Sequence, residues 1–160
     1  MTEKCLIVYY SKTGNTKKIA EAVAEKLGGD LCEVNEQGTA QASDKNPSSY
    51  DLVVVGTPVN GFRASLPIQG YLTQNRDKLP DVAFYVTYSL WPAGTLGGME
   101  KLAGKKPIAS ETFKAKDIIQ GRVDEKVNGF VDALRAGLSR YWSKMVLNPY
   151  SPSQSINGPY

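Results

Sequence analysis

"YYSKTGNTKKIA" (Tyr9–Ala20) is the stretch on which the reading turns. An apolar run ends in two tyrosines. Hydroxyl side chains then gather around one glycine, and a helical pattern starts at Asn15. A strand that passes at once into a helix opens a strand–helix–strand unit. The turn between them carries Ser11, Thr13 and Thr16 as donors, with Gly14 allowing close backbone approach. A helix start adds unpaired N–H groups and the positive end of a dipole, so the turn suits the oxygens of a phosphate monoester. It contains neither a Walker lysine after a second glycine nor the three-glycine dinucleotide fingerprint. The purely structural alternative is that the hydroxyls cap the helix, a task Thr13 or Asn15 could fill alone.

Outward from this turn the alternation continues. Strands are expected at Lys4–Tyr10, Asp30–Val34, Asp51–Thr57, Val82–Tyr88 and Pro107–Phe113, and helices at Asn15–Leu27, Leu66–Arg76, Thr95–Leu102 and Val123–Met145. The stretch 37–49 reads as loop. "CLIVYY", "LVVVG" and "VAFYV" are almost continuously apolar, as interior parallel strands are, whereas "DLCEV" and "PIASETF" carry polar residues suited to edges. The expected fold is α/β: a doubly wound, five-stranded parallel sheet of order 2-1-3-4-5 with helices on both faces. On the last helix Val127, Phe130, Val131, Leu134, Leu138 and Trp142 recur at three- and four-residue steps, so Trp142 is expected in the core. Residues 1–147 form one domain in this reading, followed by a polar tail, 148–160, with little structure of its own.

Composition narrows the function. The 160 residues suffice for one full core, and a net charge of +3 without an arginine stripe gives no indication of nucleic acid. No histidine is present, which removes histidine-based triads and most zinc sites, and no metal is expected. Cys5 and Cys32 lack any Cys-x-x-Cys spacing and read as buried thiols. No apolar run is long enough to span a membrane and no leader is evident, so a soluble, cytoplasmic protein is expected.

In a sheet of this order the ligand crevice opens at the carboxyl ends of the strands that flank the reversal. The exits there are "SKTGNT" and "GTPVNGFRAS", with "TYSLWPAG" beside them. Pro58 stiffens the second exit and Gly61 permits positive φ. Trp91, in a loop and outside any helical period, suits a flat ligand surface as well as a packing role.

"LIVYYSKTGNTKKIAEAV", "DLVVVGTPVNG" and the long terminal helix resemble the flavodoxin family, from about Lys4 to Met145. The resemblance implies bound FMN. Ser11, Lys12, Thr13, Gly14, Asn15 and Thr16 would hold its phosphate. Thr57, Pro58, Val59, Asn60 and Gly61 would line the ring, with Thr87, Tyr88, Ser89 and Trp91 on the far side. The short span between the fifth strand and the last helix resembles the short-chain form. This chain departs from the family in three places. Asn60 stands where many members have an aromatic ring, with Phe62 as the nearby substitute. Phe62 and Arg63 replace the usual acidic residues, and Trp91 stands in for the tyrosine of the third loop. The function implied is electron transfer between redox protein partners. The alternatives are an FMN-dependent NAD(P)H or quinone-type reductase and a flavin-free binding module. A receiver-type signalling domain needs acidic residues where this chain has Tyr9, Tyr10 and Gly56.

Overall fold

The computed structural model describes residues 3–41 and 44–147, with side chains through Leu138. The tail 148–160 and the side chain of Trp142 lie outside the described residues. Six strands and five helices are present among the described residues: β1 (Cys5–Tyr9), α1 (Asn15–Leu27), β2 (Asp30–Glu33), β3 (Leu52–Asn60), β4 (Arg63–Ala64), α2 (Leu66–Asn75), β5 (Asp81–Tyr88), α3 (Thr95–Ala103), β6 (Ser110–Lys114), α4 (Ala115–Ile119) and α5 (Asp124–Leu147). Five strands form a parallel sheet in the order β2-β1-β3-β5-β6. This is the expected order, with the two polar strands at the edges.

The sixth strand was not expected. β3 runs beyond Thr57 to Asn60 and turns back into the two-residue β4, pairing Asn60 with Arg63 and Val59 with Ala64 antiparallel. The second exit loop is therefore a β-hairpin. A further short helix, α4, occupies part of the span between β6 and α5.

Alternation along the central strands divides the core into two layers. Ile7, Leu52, Val54 and Tyr85 face α1 and α5, where they meet Ile19, Val23, Phe130 and Leu134. Leu6, Val8, Val53, Val55 and Phe84 face α2 and α3, where they meet Ile68, Leu72 and Met99. Burying each such side chain contributes about 1.5–3 kcal/mol, so a sheet covered on both faces has ample driving force. Tyr85, Phe113 and Phe130 add an edge-to-face cluster with ring centroids 6.0–6.4 Å apart. Cys5 and Cys32 are both buried, and burial pushes the Cys5 thiol up to about 11.

Candidate flavin site at the carboxyl ends of the strands

β1 delivers the chain to the turn with Tyr9 in register with Gly56 of β3. The Tyr10 hydroxyl donates to Glu36 at 2.7 Å, which fixes the exit. At Gly14 φ is 97°, a left-handed conformation that glycine adopts without a Cβ penalty, and α1 begins at the next residue. Ser11 does the capping for which Thr13 or Asn15 was named as the structural alternative. Its hydroxyl oxygen accepts from the N–H of Gly14 and of Lys17, both at 3.1 Å. The first helical bond runs from the Lys18 N–H to the Gly14 carbonyl at 3.0 Å. The N–H groups of Asn15 and Thr16 precede any such bond and point out of the helix start, where an anion is favoured. Lys12 and Thr13 are exposed, and no carboxylate pairs with Lys12 or Lys17 among the described residues.

The floor under this turn is polar and fully engaged. Thr16 and Thr87 are buried, and their hydroxyls bond to each other at 2.8 Å. Their expected roles shift accordingly. Neither hydroxyl opens on the crevice, and Thr16 presents its backbone N–H to the turn. The Tyr85 hydroxyl, from β5, donates to the Thr16 carbonyl at 2.8 Å. To arrive there the tyrosine crosses β3 at Gly56, where a Cβ would lie 2.0 Å from the ring carbon Cζ. Complete burial pushes the Tyr85 phenol well above its ordinary pKa, so it stays a donor. Two strands, β3 and β5, thus brace the start of α1 through Gly56, Tyr85 and Thr87. Sequence reasoning missed Tyr85. The signal was Gly56 itself, since a glycine inside a buried strand marks a close approach.

The ring-side loops are built differently. Thr57, expected against the flavin ring, is buried in the neck of the hairpin. Its hydroxyl accepts the Ser65 N–H at 2.9 Å and lies 2.8 Å from the Pro58 carbonyl. It latches the hairpin to the start of α2. Pro58 and Val59 are half-buried, while Asn60 and Gly61 are exposed. Gly61 and Phe62 have φ of 56° and 66°. Positive φ at both central residues is the type I′ hairpin turn, in which a phenylalanine is strained. Across from it, Tyr88 is half-buried and Ser89 and Trp91 are exposed. Phe62 and Trp91 meet edge to face, with ring centroids 6.0 Å apart at 63°. The two aromatics that the resemblance offers as ring contacts are brought together.

A separate cleft of about 370 Å³ lies between the 38–47 loop and α2, lined by Thr39, Lys45, Gln74 and Lys78, and includes none of the three exit loops. Among the described residues no cluster of potential metal ligands occurs, and no helix is long and apolar enough to cross a membrane.

A doubly wound sheet with a hydroxyl-rich turn at the first switch-point exit and paired aromatics beside it defines a flavodoxin-like flavoprotein fold. The flavodoxin-domain model matches residues 6–136, and the chain belongs to that family. By sequence, no curated protein matches it. Among solved structures it is similar to a flavoprotein in complex with FMN from Lactobacillus acidophilus NCFM. The two share 23% identity at a TM-score of 0.61, over 74% of this chain and 97% of that one. It is also similar to a WrbA-like flavodoxin from Agrobacterium tumefaciens, at 18% identity and a TM-score of 0.61 over 84% and 99% of the two chains. A third likeness is to the Flv1 flavodiiron core from Synechocystis sp. PCC6803, at 18% identity and a TM-score of 0.64. That match covers 87% of this chain and 37% of the larger one. At these identities the likeness is one of fold.

Proposed function

We propose that the chain binds FMN and transfers electrons between redox protein partners. The observation that carries this reading is the start of α1. Its outward N–H groups sit over a floor of engaged hydrogen bonds, and Phe62 and Trp91 stand beside it as a pair. The residues fit the group. Segments 9–20, 52–75 and 82–99 contain no aspartate or glutamate to repel a phosphate dianion. In this reading the N–H groups of Asn15 and Thr16 and the hydroxyl of Thr13 hold the phosphate, with Lys12 and Lys17 favouring its charge. Phe62 and Trp91 hold the ring. FMN, when bound, supplies one- and two-electron redox chemistry. The FMN-bound relative from Lactobacillus acidophilus supports the choice of ligand.

The visible spectrum of the purified protein tests the proposal. A flavin spectrum is expected, with FMN released on denaturation. A colourless protein that stays colourless after incubation with FMN would favour a flavin-free binding module.

A further inference from the structure

Six large apolar side chains are exposed among the described residues. Four of them lie in or directly beside the loops that form the candidate ring site: Phe62 at 64%, Leu66 at the start of α2 at 77%, Leu90 at 93% and Trp91 at 63% exposure. Phe62 and Trp91 have the ring to hold in the reading above. Leu66 and Leu90 have no such task, and neither belongs to the core layers. Phe62 and Trp91 are in contact, Leu90 precedes Trp91 and Leu66 opens the helix after the hairpin; exposed apolar surface gathered around a site marks a place where something docks.

The charged side chains carried by the turn that opens α1 and by the hairpin are all cations. Lys12 and Lys17 flank the phosphate turn, and Arg63 follows Phe62 on the hairpin. None of the three has a carboxylate partner among the described residues. At the β2 exit Glu33 ends the strand, and Glu36 accepts from the Tyr10 hydroxyl.

We propose that this face docks a protein that presents carboxylates around an apolar centre. Lys17 and Arg63 set the sign of the partner, and Leu66 and Leu90 form the dry middle of the contact. The proposal rests on the electron-transfer reading and names the class of partner. A small apolar centre with a charged rim is the form of a transient contact, in which the rim steers encounter and the centre excludes water. A lipid surface fits less well, because polybasic lipid-binding segments cluster about 4–8 cations and this face has three.

The test titrates the FMN-loaded protein against two probes of opposite charge, an acidic plant-type ferredoxin and the basic cytochrome c, at several salt concentrations. FMN occupancy is read first from the absorbance, so failure of cofactor binding is seen separately from failure of docking. The ferredoxin is expected to bind at low salt and to weaken as salt is raised. The double variant Lys17→Glu, Arg63→Glu should lose about tenfold or more of that affinity. Leu90→Ser should weaken binding with its salt dependence unchanged. The proposal is overturned if cytochrome c binds as tightly as the ferredoxin, or if the ferredoxin shows no salt-dependent binding. It is also overturned if the charge reversals change nothing, or if the protein sediments with phosphatidylserine vesicles more readily than it binds ferredoxin.

Discussion

The turn that opens α1, proposed to hold phosphate, and the loops after β3 and β5, proposed to hold the ring, lie at the same end of the sheet but are built on opposite principles. The turn stands on buried bonds: Thr16 to Thr87, Tyr85 to the Thr16 carbonyl, Ser11 to two backbone N–H groups. The ring side ends in an exposed phenylalanine held at positive φ and an exposed tryptophan, touching only at their edges. The first region has its donors fixed before a ligand arrives, which lowers the ordering cost of binding. The second keeps apolar surface uncovered and a strained turn in place, features that persist where a ligand or partner uses them. Phosphate is a fixed shape that rewards a fixed set of donors. An aromatic ring and a docking partner reward surfaces that can adjust.

The largest effect should come from breaking the rigid region. Gly56→Ala places a Cβ against the Tyr85 ring. Overpacking of this kind costs about 1–3 kcal/mol, and more where backbone must move. The urea midpoint should fall clearly, and pairing the change with Tyr85→Leu should restore part of it. An unchanged midpoint would mean that Tyr85 does not cross β3 at this point.

Tyr85→Phe is subtler. It removes one donor while the Thr16 carbonyl keeps its helical partner, at a cost of about 0.5–1.5 kcal/mol. FMN affinity should fall while riboflavin affinity does not, because only the phosphate end loses its brace. Isothermal titration with both ligands reads the ratio.

Phe62→Gly probes the other region. A left-handed conformation costs a residue with a Cβ about 1–2 kcal/mol, so the variant should be as stable as the parent or slightly more stable. It should bind FMN and riboflavin more weakly by the same factor, leaving their ratio intact. A ratio that changes in Tyr85→Phe and holds in Phe62→Gly is the signature of two separately built regions.

The smallest expected effect is electrostatic. Arg63 is exposed at the hairpin, beside the proposed ring position. Arg63→Glu should lower the potential for adding the second electron to the bound flavin. The expected change is only tens of millivolts, because solvent and salt screen the charge. Spectroelectrochemical titration of parent and variant measures it, and an unchanged second potential would place Arg63 out of range of the ring.

How much of this was legible in the sequence follows from the kind of signal involved. Continuous apolar runs in β1, β3 and β5 and the polar residues of β2 and β6 gave the sheet order, because burial on both faces demands apolar residues at every position. The turn between β1 and α1 could be read because glycine and hydroxyls between a strand and a helix are a local pattern. The hairpin was not legible. A type I′ turn is normally announced by Asn-Gly at its centre, whereas here Asn60 pairs with Arg63 and Gly61-Phe62 forms the turn. Partner choice among hydroxyls was equally hidden. Thr57 and Thr87 stand near the carboxyl ends of β3 and β5 and Thr16 in the first turn of α1, but which way each hydroxyl points depends on residues 8 to 71 positions away. Leu66 and Leu90 were not singled out in the sequence, and the structure shows both uncovered.

The central claim is that the start of α1 is a phosphate site, and titrating the apoprotein with FMN and riboflavin tests it most directly. Hydrogen bonds to a charged group are worth about 1.5–3 kcal/mol each, so two of them amount to about two to four powers of ten in affinity. The account predicts that FMN binds tighter than riboflavin by at least that lower bound. Equal affinities would contradict it and leave the turn as a capped helix start with no ligand of its own.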